Sequence, residues 1–437
     1  MAMNIRVQYG SDASKNPVPV SGGQAFLTLP GSCLGRPANL TVDTDTVSRH
    51  MLLVGGTGVG KTNLMFRMVD QTIRRMGPDD VMLIFDSKGD YYEKFRSRTS
   101  NVVVGNSAEY DAVSQKWNIF QEILADGPDR KNCRLNAMEI ARSLFAERMR
   151  STTNAFFPGA AQDVFASLLV SITRDAETDP AARAALNNQD FMDYLQSSSG
   201  ADLCAQLAAY PDLTATTSYI EGENEQSQGV IAEMHSVIRD LFVGKFAEKG
   251  TFSLRNFIRA RGKKVLFLEY DISIGSILTP VYRLLVDLAL KEALSQHNRK
   301  GNIFLFLDEF KLLPHLQHID DAVNFGRSKG VKVAAGLQSI EQLYDLYGQS
   351  RGRSIAAGFS TVIAFRANDE ATMKYIRGLY GKNLYTVEVI DARNNASTTV
   401  HEGDVVPDWT MCSLGRGTAV VCMPQQQPFV MYFDPFS

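Results

Sequence analysis

One run constrains this chain more than any other: Gly55-Gly56-Thr57-Gly58-Val59-Gly60-Lys61-Thr62. It fits the pattern G-x-x-x-x-G-K-[ST] without a gap. Ahead of it, Met51-Leu52-Leu53-Val54 predicts a short buried strand, and behind it residues 63–72 predict a helix. Strand, glycine loop and helix together fit an α/β fold with a phosphate-binding loop. Glycines let the backbone wrap anionic oxygens closely, so amide groups and a helix N-terminus point at a phosphate chain. Lys61 supplies a point charge for β/γ-phosphates, and the Thr62 hydroxyl is placed to ligate Mg²⁺. A chance glycine turn would need neither flanking element. The expected occupants are ATP and Mg²⁺.

A second constellation lies far downstream. Ile303-Phe304-Leu305-Phe306-Leu307 is an apolar run that ends in Asp308-Glu309. Phosphoryl transfer needs positioning and charge stabilisation more than covalent help, so two carboxylates suffice. Asp308 is expected at the metal and Glu309 at the attacking water. Alone, the pair reads as an acidic turn after a core strand; the glycine loop upstream makes that the weaker reading. Gln338 follows the next apolar run, and its amide can donate to or accept from a γ-phosphate region. Arg49 lies just ahead of the first strand, and Arg327 sits in Phe325-Gly326-Arg327-Ser328-Lys329-Gly330. Both are candidates for a cation supplied across a subunit boundary. A surface ion pair explains either arginine equally well. The expected catalytic set is Lys61, Glu309, Gln338, Arg49 and Arg327, with Thr62 and Asp308 at the metal.

Further apolar runs at 81–85, 102–104, 265–268, 331–335 and 362–365 suit parallel strands buried on both faces. Helical spacing between them, as at Val281, Leu284, Leu285 and Leu288, predicts a parallel sheet covered by helices. From about 126 to 250 the strand pattern stops. Leu135, Met138, Ala141, Phe145 and Met149 read as one helical face, and Ala161, Val164, Phe165, Leu168 and Ile172 as a second. Ile231, Met234, Ile238 and Leu241 form a third, and 214–228 reads as a loop or short helical link. The expected division is a β extension over 1–48 and a nucleotide-binding domain in two parts, 49–125 and 251–437. An all-α insertion fills 126–250.

Composition excludes several classes. No stretch is expected to reach the roughly 18–20 apolar residues of a membrane-spanning helix, and the N-terminus lacks the apolar core of a secretory signal. The five cysteines are scattered without C-x-x-C spacing, as reduced core residues of a cytoplasmic protein would be. Lys plus Arg total 45 against 48 for Asp plus Glu, a net charge of −3 that argues against a broad basic face. Local grip on DNA inside a channel remains compatible with it. His315 and His318 read as polar surface residues, not metal ligands, and Asn395-Ala396-Ser397 as an unused glycosylation triplet.

Taken together these residues resemble the coupling-protein ATPases of type IV secretion and conjugation, the TraD/TraG-like family of FtsK-like and RecA-like motors. The resemblance runs over about 49–414. It is carried by Arg49-His50, Phe85-Asp86-Ser87-Lys88-Gly89, Trp117-Asn118-Ile119-Phe120, Asp308-Glu309-Phe310, Arg327, Gln338 and Gln342-Leu343-Tyr344-Asp345-Leu346-Tyr347-Gly348. It implies a RecA-like P-loop fold with a mostly parallel central sheet and an inserted all-α domain. It also implies an ATP-hydrolysing homo-hexamer that moves DNA, with little sequence preference, toward a secretion channel. The implied partners are a relaxase–DNA complex and secretion-channel ATPases. Family members usually begin with a transmembrane region not seen here, which leaves three readings: a soluble member, a truncated chain, or a protein whose partner is a separate membrane-anchor subunit. Location at the inner face of the cell membrane would then come through partners. Two other readings stay open: a cytoplasmic FtsK/HerA-like DNA motor, and a nucleotide-gated platform that recruits protein substrates without moving DNA.

Overall fold

The apolar runs assemble side by side because each is buried on both faces and must pair along both edges. The computed structural model describes residues 2–20, 23–295, 300–390 and 396–436; Asn395 of the glycosylation triplet lies outside them. Its strands are β1 Ala2–Tyr9, β2 Ala25–Cys33, β3 Arg36–Asp43, β4 Met51–Val54, β5 Val81–Asp86, β6 Ser100–Val104, β7 Lys264–Glu269, β8 Ile303–Leu307, β9 Val331–Leu337, β10 Thr361–Phe365, β11 Lys382–Ile390, β12 Ala396–Asp404, β13 Thr418–Cys422 and β14 Phe429–Phe433. An 11-stranded sheet has the order β3-β2-β14-β13-β10-β4-β9-β8-β5-β7-β6. From β10 to β6 every pairing is parallel; from β13 to β3 it is antiparallel.

Alternate residues of each parallel strand feed two cores. Met51, Leu53, Met82 and Ile84 meet Leu64, Met68 and Val69 of the helix Lys61–Arg75. Leu52, Val54, Leu83 and Phe85 face the opposite core with the helix Gly275–Leu294, where Val281, Leu284, Leu285 and Leu288 are all buried. The fold is therefore α/β, a mostly parallel sheet flanked by helices. The N-terminal extension divides: β2 and β3 close the sheet edge, whereas β1 pairs with β11 of a separate sheet, β1-β11-β12.

Between β6 and β7 the chain is helical. Its long members are Arg130–Ser151, Phe156–Thr178 and Glu225–Leu241. The face expected on the first needs correction. Leu135, Met138 and Met149 are exposed, and the packed side is Cys133, Asn136, Ala137, Ile140, Ala141, Leu144 and Phe145. Close approach to Phe156–Thr178 favours small Ala137 and Ala141, and Asn136 is held by donating to Ile123 O and Asp126. The stretch 214–228 opens as a short helical link, a 3-10 turn over Thr214–Tyr219, and its last four residues begin the helix from Glu225 that Asn224 caps.

The expectation about membrane spans is corrected too. The helix Phe156–Thr178 is long and apolar enough to cross a membrane, with a mean hydropathy of 1.3 over its best window. Of that window, 67% is buried, because this is the central helix of the insertion, apolar all round for packing. Among the cysteines, Cys412 is exposed and Cys204 half-buried, so only Cys33, Cys133 and Cys422 are core residues.

Trp117-Asn118-Ile119-Phe120 serves the insertion and not the phosphate loop. Trp117 bridges Phe252, and Asn118 donates to Gly250 O and Leu186 O, which ties the outgoing segment to the returning one. Glu122, wholly buried, accepts from Trp117 Nε1, Ser253 Oγ, Leu254 N and Arg255 N. Arg255 and Arg259 each pair with both Asp126 and Glu292 at the same place.

Candidate nucleotide site

The loop between β4 and the helix Lys61–Arg75 turns on glycines. Gly55 (φ +148°) lies against β10, where a Cβ would meet Phe365 Cβ at 2.8 Å. Gly60, with φ +120°, starts the helix from a left-handed conformation that a side chain would strain. The loop is braced from outside: Gly56 N donates to Arg366 O, and Gly417 N, just before β13, donates to Val59 O.

Lys61 is buried and folds onto its own loop, donating from Nζ to Gly55 O at 2.7 Å and Gly56 O at 2.8 Å. Burial pushes this amine below its ordinary pKa. Asp308 ends β8, two strands from β4 across β9, and burial pushes its carboxyl upward. The Tyr91 phenol donates to that carboxylate at 3.0 Å, and the Thr62 hydroxyl beside it works against the upward push. Gln338, at the end of β9, sets its Nε2 3.5 Å from Glu309 Oε2, while Gln342 Oε1 accepts from Gln338 N. The C-terminal ends of parallel β4, β8 and β9 thus bring together Lys61, Thr62, Asp308, Glu309 and Gln338. Such strand ends are where open α/β sheets hold ligands.

Four neighbours, Lys88, Asp86, Tyr91 and Tyr347, were not anticipated as site groups. Lys88 Nζ stands 3.7 Å from Glu309 Oε1. Asp86, pushed up to about 6 by burial, accepts from the backbone N–H groups of Lys88, Tyr91 and Tyr92, so the Asp86-Ser87-Lys88-Gly89 turn aims Lys88 and Tyr91 into the site. The narrow spacing of that run was the available signal; nothing local marked Tyr91. Tyr347 clamps the segment after Glu309, donating to Leu313 O and accepting from Leu316 N.

Arg49 and Arg327 are not in this group. Arg49 precedes β4 and Arg327 precedes β9, so both lie at the N-terminal edge, and β4 alone separates the edges by roughly 13 Å. His50 locks the same corner: its buried ring accepts Val333 N–H at Nδ1, and its backbone has φ +62°. Burial, and behind it Lys332, push His50 down to about 4. Between the ordinary value near 6.5 and 4, the unfolded chain takes a proton that the native ring refuses, so stability falls as pH falls. Urea unfolding from pH 7 to 4 is expected to show His50 costing up to about 3 kcal/mol, a component that His50→Gln lacks. Equal pH dependence of parent and variant would refute the assignment.

His315 and His318 are more engaged than polar surface residues. His318 Nε2 lies 2.9 Å from Glu139 of the insertion, and the His315 ring meets Tyr347 edge-on. Among the described residues no group of three or more potential ligands could hold a metal. At the strand ends, Thr62 and Asp308 supply a hydroxyl and a carboxylate, the hard oxygen donors that a magnesium ion uses alongside phosphates and water. The residues present fit a nucleoside triphosphate with Mg²⁺.

Comparison with known proteins agrees. The type IV secretion-system coupling protein DNA-binding domain matches residues 36–417. The coupling protein TraD of Escherichia coli (strain K12) is 22% identical over 352 residues, 79% of this chain and 46% of that protein. The type IV secretion system-coupling protein VirD4 of Bartonella quintana (strain Toulouse) is 23% identical over 366 residues, 80% of this chain and 55% of its own. The chain thus spans about half the length of the curated relatives it matches. Unbound bacterial conjugative coupling protein TrwBdeltaN70 superposes with a TM-score of 0.75 at 20% identity, covering 100% of this chain and 95% of the other. The plasmid coupling protein TrwB in complex with ADP and Mg²⁺ does so at 0.70 and 21%, covering 100% and 96%. On a family match that takes in both carboxylates, the phosphate loop and the helical insertion, the chain belongs to the type IV secretion-system coupling proteins.

Proposed function

We propose that this protein is an ATP-hydrolysing DNA translocase that works as a hexamer, moving DNA or a relaxase–DNA complex toward a secretion channel at the inner face of the cell membrane. The observation that carries the reading is the meeting of Lys61, Thr62, Asp308, Glu309 and Gln338 at adjacent strand ends. In this reading Lys61 leaves the Gly55 and Gly56 carbonyls to meet phosphate oxygens, and Thr62 with Asp308 holds Mg²⁺. The ion supplies charge neutralisation at the phosphates. Glu309, loosely held by Gln338 and Lys88, orients the attacking water, and Gln338 reports the γ-phosphate to the segment that ends in Tyr347. Arg49 and Arg327 cannot reach their own phosphate loop, which supports their acting on a neighbouring subunit. Secretion-channel ATPases are the further partners this reading calls for.

The deciding measurement is Mg²⁺-dependent ATP turnover with and without single- and double-stranded DNA of unrelated sequences. Turnover is expected to rise several-fold with DNA whatever its sequence, and to rise with protein concentration as rings form. Turnover that DNA leaves unchanged at all concentrations would overturn the translocase and favour the recruitment platform.

A further inference from the structure

Arg49 and Arg327, far apart in sequence, converge on one carboxylate. Arg49 donates from Nε (3.1 Å) and Nη2 (2.9 Å) to Asp45 Oδ2. Arg327 donates from Nη2 to the other oxygen, Oδ1. We propose that Asp45 is a positioning residue that holds the two arginines as one preset unit for the nucleotide site of a second copy of this chain. The proposal rests on the cross-subunit reading above and deepens it.

Each part of the unit is fixed from below. Asp45 rides on the short helix Thr44–Val47, whose first turn is capped by Asp43 accepting from Thr46 N. Arg49 O accepts from Ser360 N and His50 O from Thr361 N, so the Arg49 backbone is tied to β10. The turn bearing Arg327 is closed by Gly330 N donating to Arg327 O, and Gly326 packs so tightly that a Cβ would meet Val331 Cβ at 2.9 Å. The bonding is unequal. Arg49 commits two donors and its side chain is 32% exposed; Arg327 commits one and is 53% exposed. Among the described residues Arg327 thus keeps Nε and Nη1 for another partner. Arg49 acts as the strut.

Two guanidinium groups against one carboxylate leave a net positive charge at this corner. Exposed ion pairs of this kind contribute little to stability, so folding gives no strong reason for the convergence. Phe325, two residues before Arg327, is 69% exposed, which suits a protein face better than water. A second copy of this chain offers an anionic nucleotide beside a protein surface. Pre-set orientation of a charged group is worth more than the charge alone, because no reorganisation is left for the transition state.

The test uses the full chain at concentrations where turnover has saturated. Asp45→Asn is expected to lower kcat about tenfold while KM for ATP and the melting temperature stay unchanged; Asp45→Glu should keep most of the parental kcat. Asp45→Asn subunits mixed with Lys61→Ala subunits should exceed the sum of the two alone. In that mixture an intact phosphate loop faces a neighbour with an intact Asp45. A parental kcat in Asp45→Asn, a loss not rescued by mixing, or a kcat loss that merely follows a lowered melting temperature would overturn the proposal. Arg327→Ala mixed with Lys61→Ala separates the two levels. Rescue there with parental Asp45→Asn activity leaves the cross-subunit reading standing and removes only Asp45; no rescue removes both.

Discussion

Glu309→Gln is expected to bind ATP as the parent does and to turn it over about 10²–10³-fold more slowly. The geometry separates the two effects. Binding rests on the glycine loop, Lys61, Thr62 and Asp308, none of which Glu309 touches through a hydrogen bond. Glu309 itself is only loosely engaged, by Gln338 at 3.5 Å and Lys88 at 3.7 Å, so its carboxylate is free to turn toward a water. Glutamine keeps the shape and the hydrogen bond reach but loses the negative charge that orients and polarises that water. The measurement is steady-state turnover beside equilibrium binding of a fluorescent ATP analogue. Parental turnover would remove Glu309 from the chemistry. Lost binding would mean that it holds nucleotide instead.

The site was legible where chemistry and local pattern coincide. Gly55 to Thr62 follows an apolar strand, and Asp308-Glu309 ends another, so composition and position point the same way. Strands β4, β5, β7, β8, β9 and β10 were legible for a related reason: burial on both faces leaves an apolar run, broken in β9 only by Lys332. The hairpin of β11 and β12 was not, because β12 is exposed along most of its length and carries Thr, Ser, His and Glu without a buried face. Pairing of β1 with β11 joins the two ends of the chain, a contact no window can show. The same holds for Tyr91 with Asp308, 217 residues apart, and for Arg327 with Asp45, 282 apart. The misassigned face of Arg130–Ser151 has another cause. Large apolar side chains at Leu135 and Met138 outweigh Ala137 and Ala141 in a periodicity count, yet a tight helix contact selects the small ones.

Glu122→Ala is expected to destabilise the protein by on the order of 3–5 kcal/mol. Four donors converge on this one buried carboxylate: Trp117 Nε1 at 3.0 Å, Ser253 Oγ at 3.0 Å, Leu254 N at 2.5 Å and Arg255 N at 3.2 Å. Two of them are backbone groups of the helix Leu254–Ala260, whose first turn has no other acceptor for those N–H groups among the described residues. Removing the carboxylate strands all four in a site without room for bulk water. Arg255 loses the acceptor of its backbone N–H, while its guanidinium keeps the Glu122 backbone carbonyl and Glu292. Glu122→Gln tests the charge separately. Its shape is kept, but its NH₂ must face donors where an oxygen stood, so it should recover only part of the loss. Burial holds the Glu122 carboxyl above its ordinary pKa, which shows that the four donors do not fully offset the cost of the buried charge. The readout is the urea midpoint and slope for each variant, with limited proteolysis of the native protein. Cleavage is expected to appear first near 116–118 and 250–252, where the insertion leaves and rejoins the sheet. An unchanged midpoint with unchanged cleavage would show that the insertion is held by its apolar contacts alone, and that Glu122 is not its clasp.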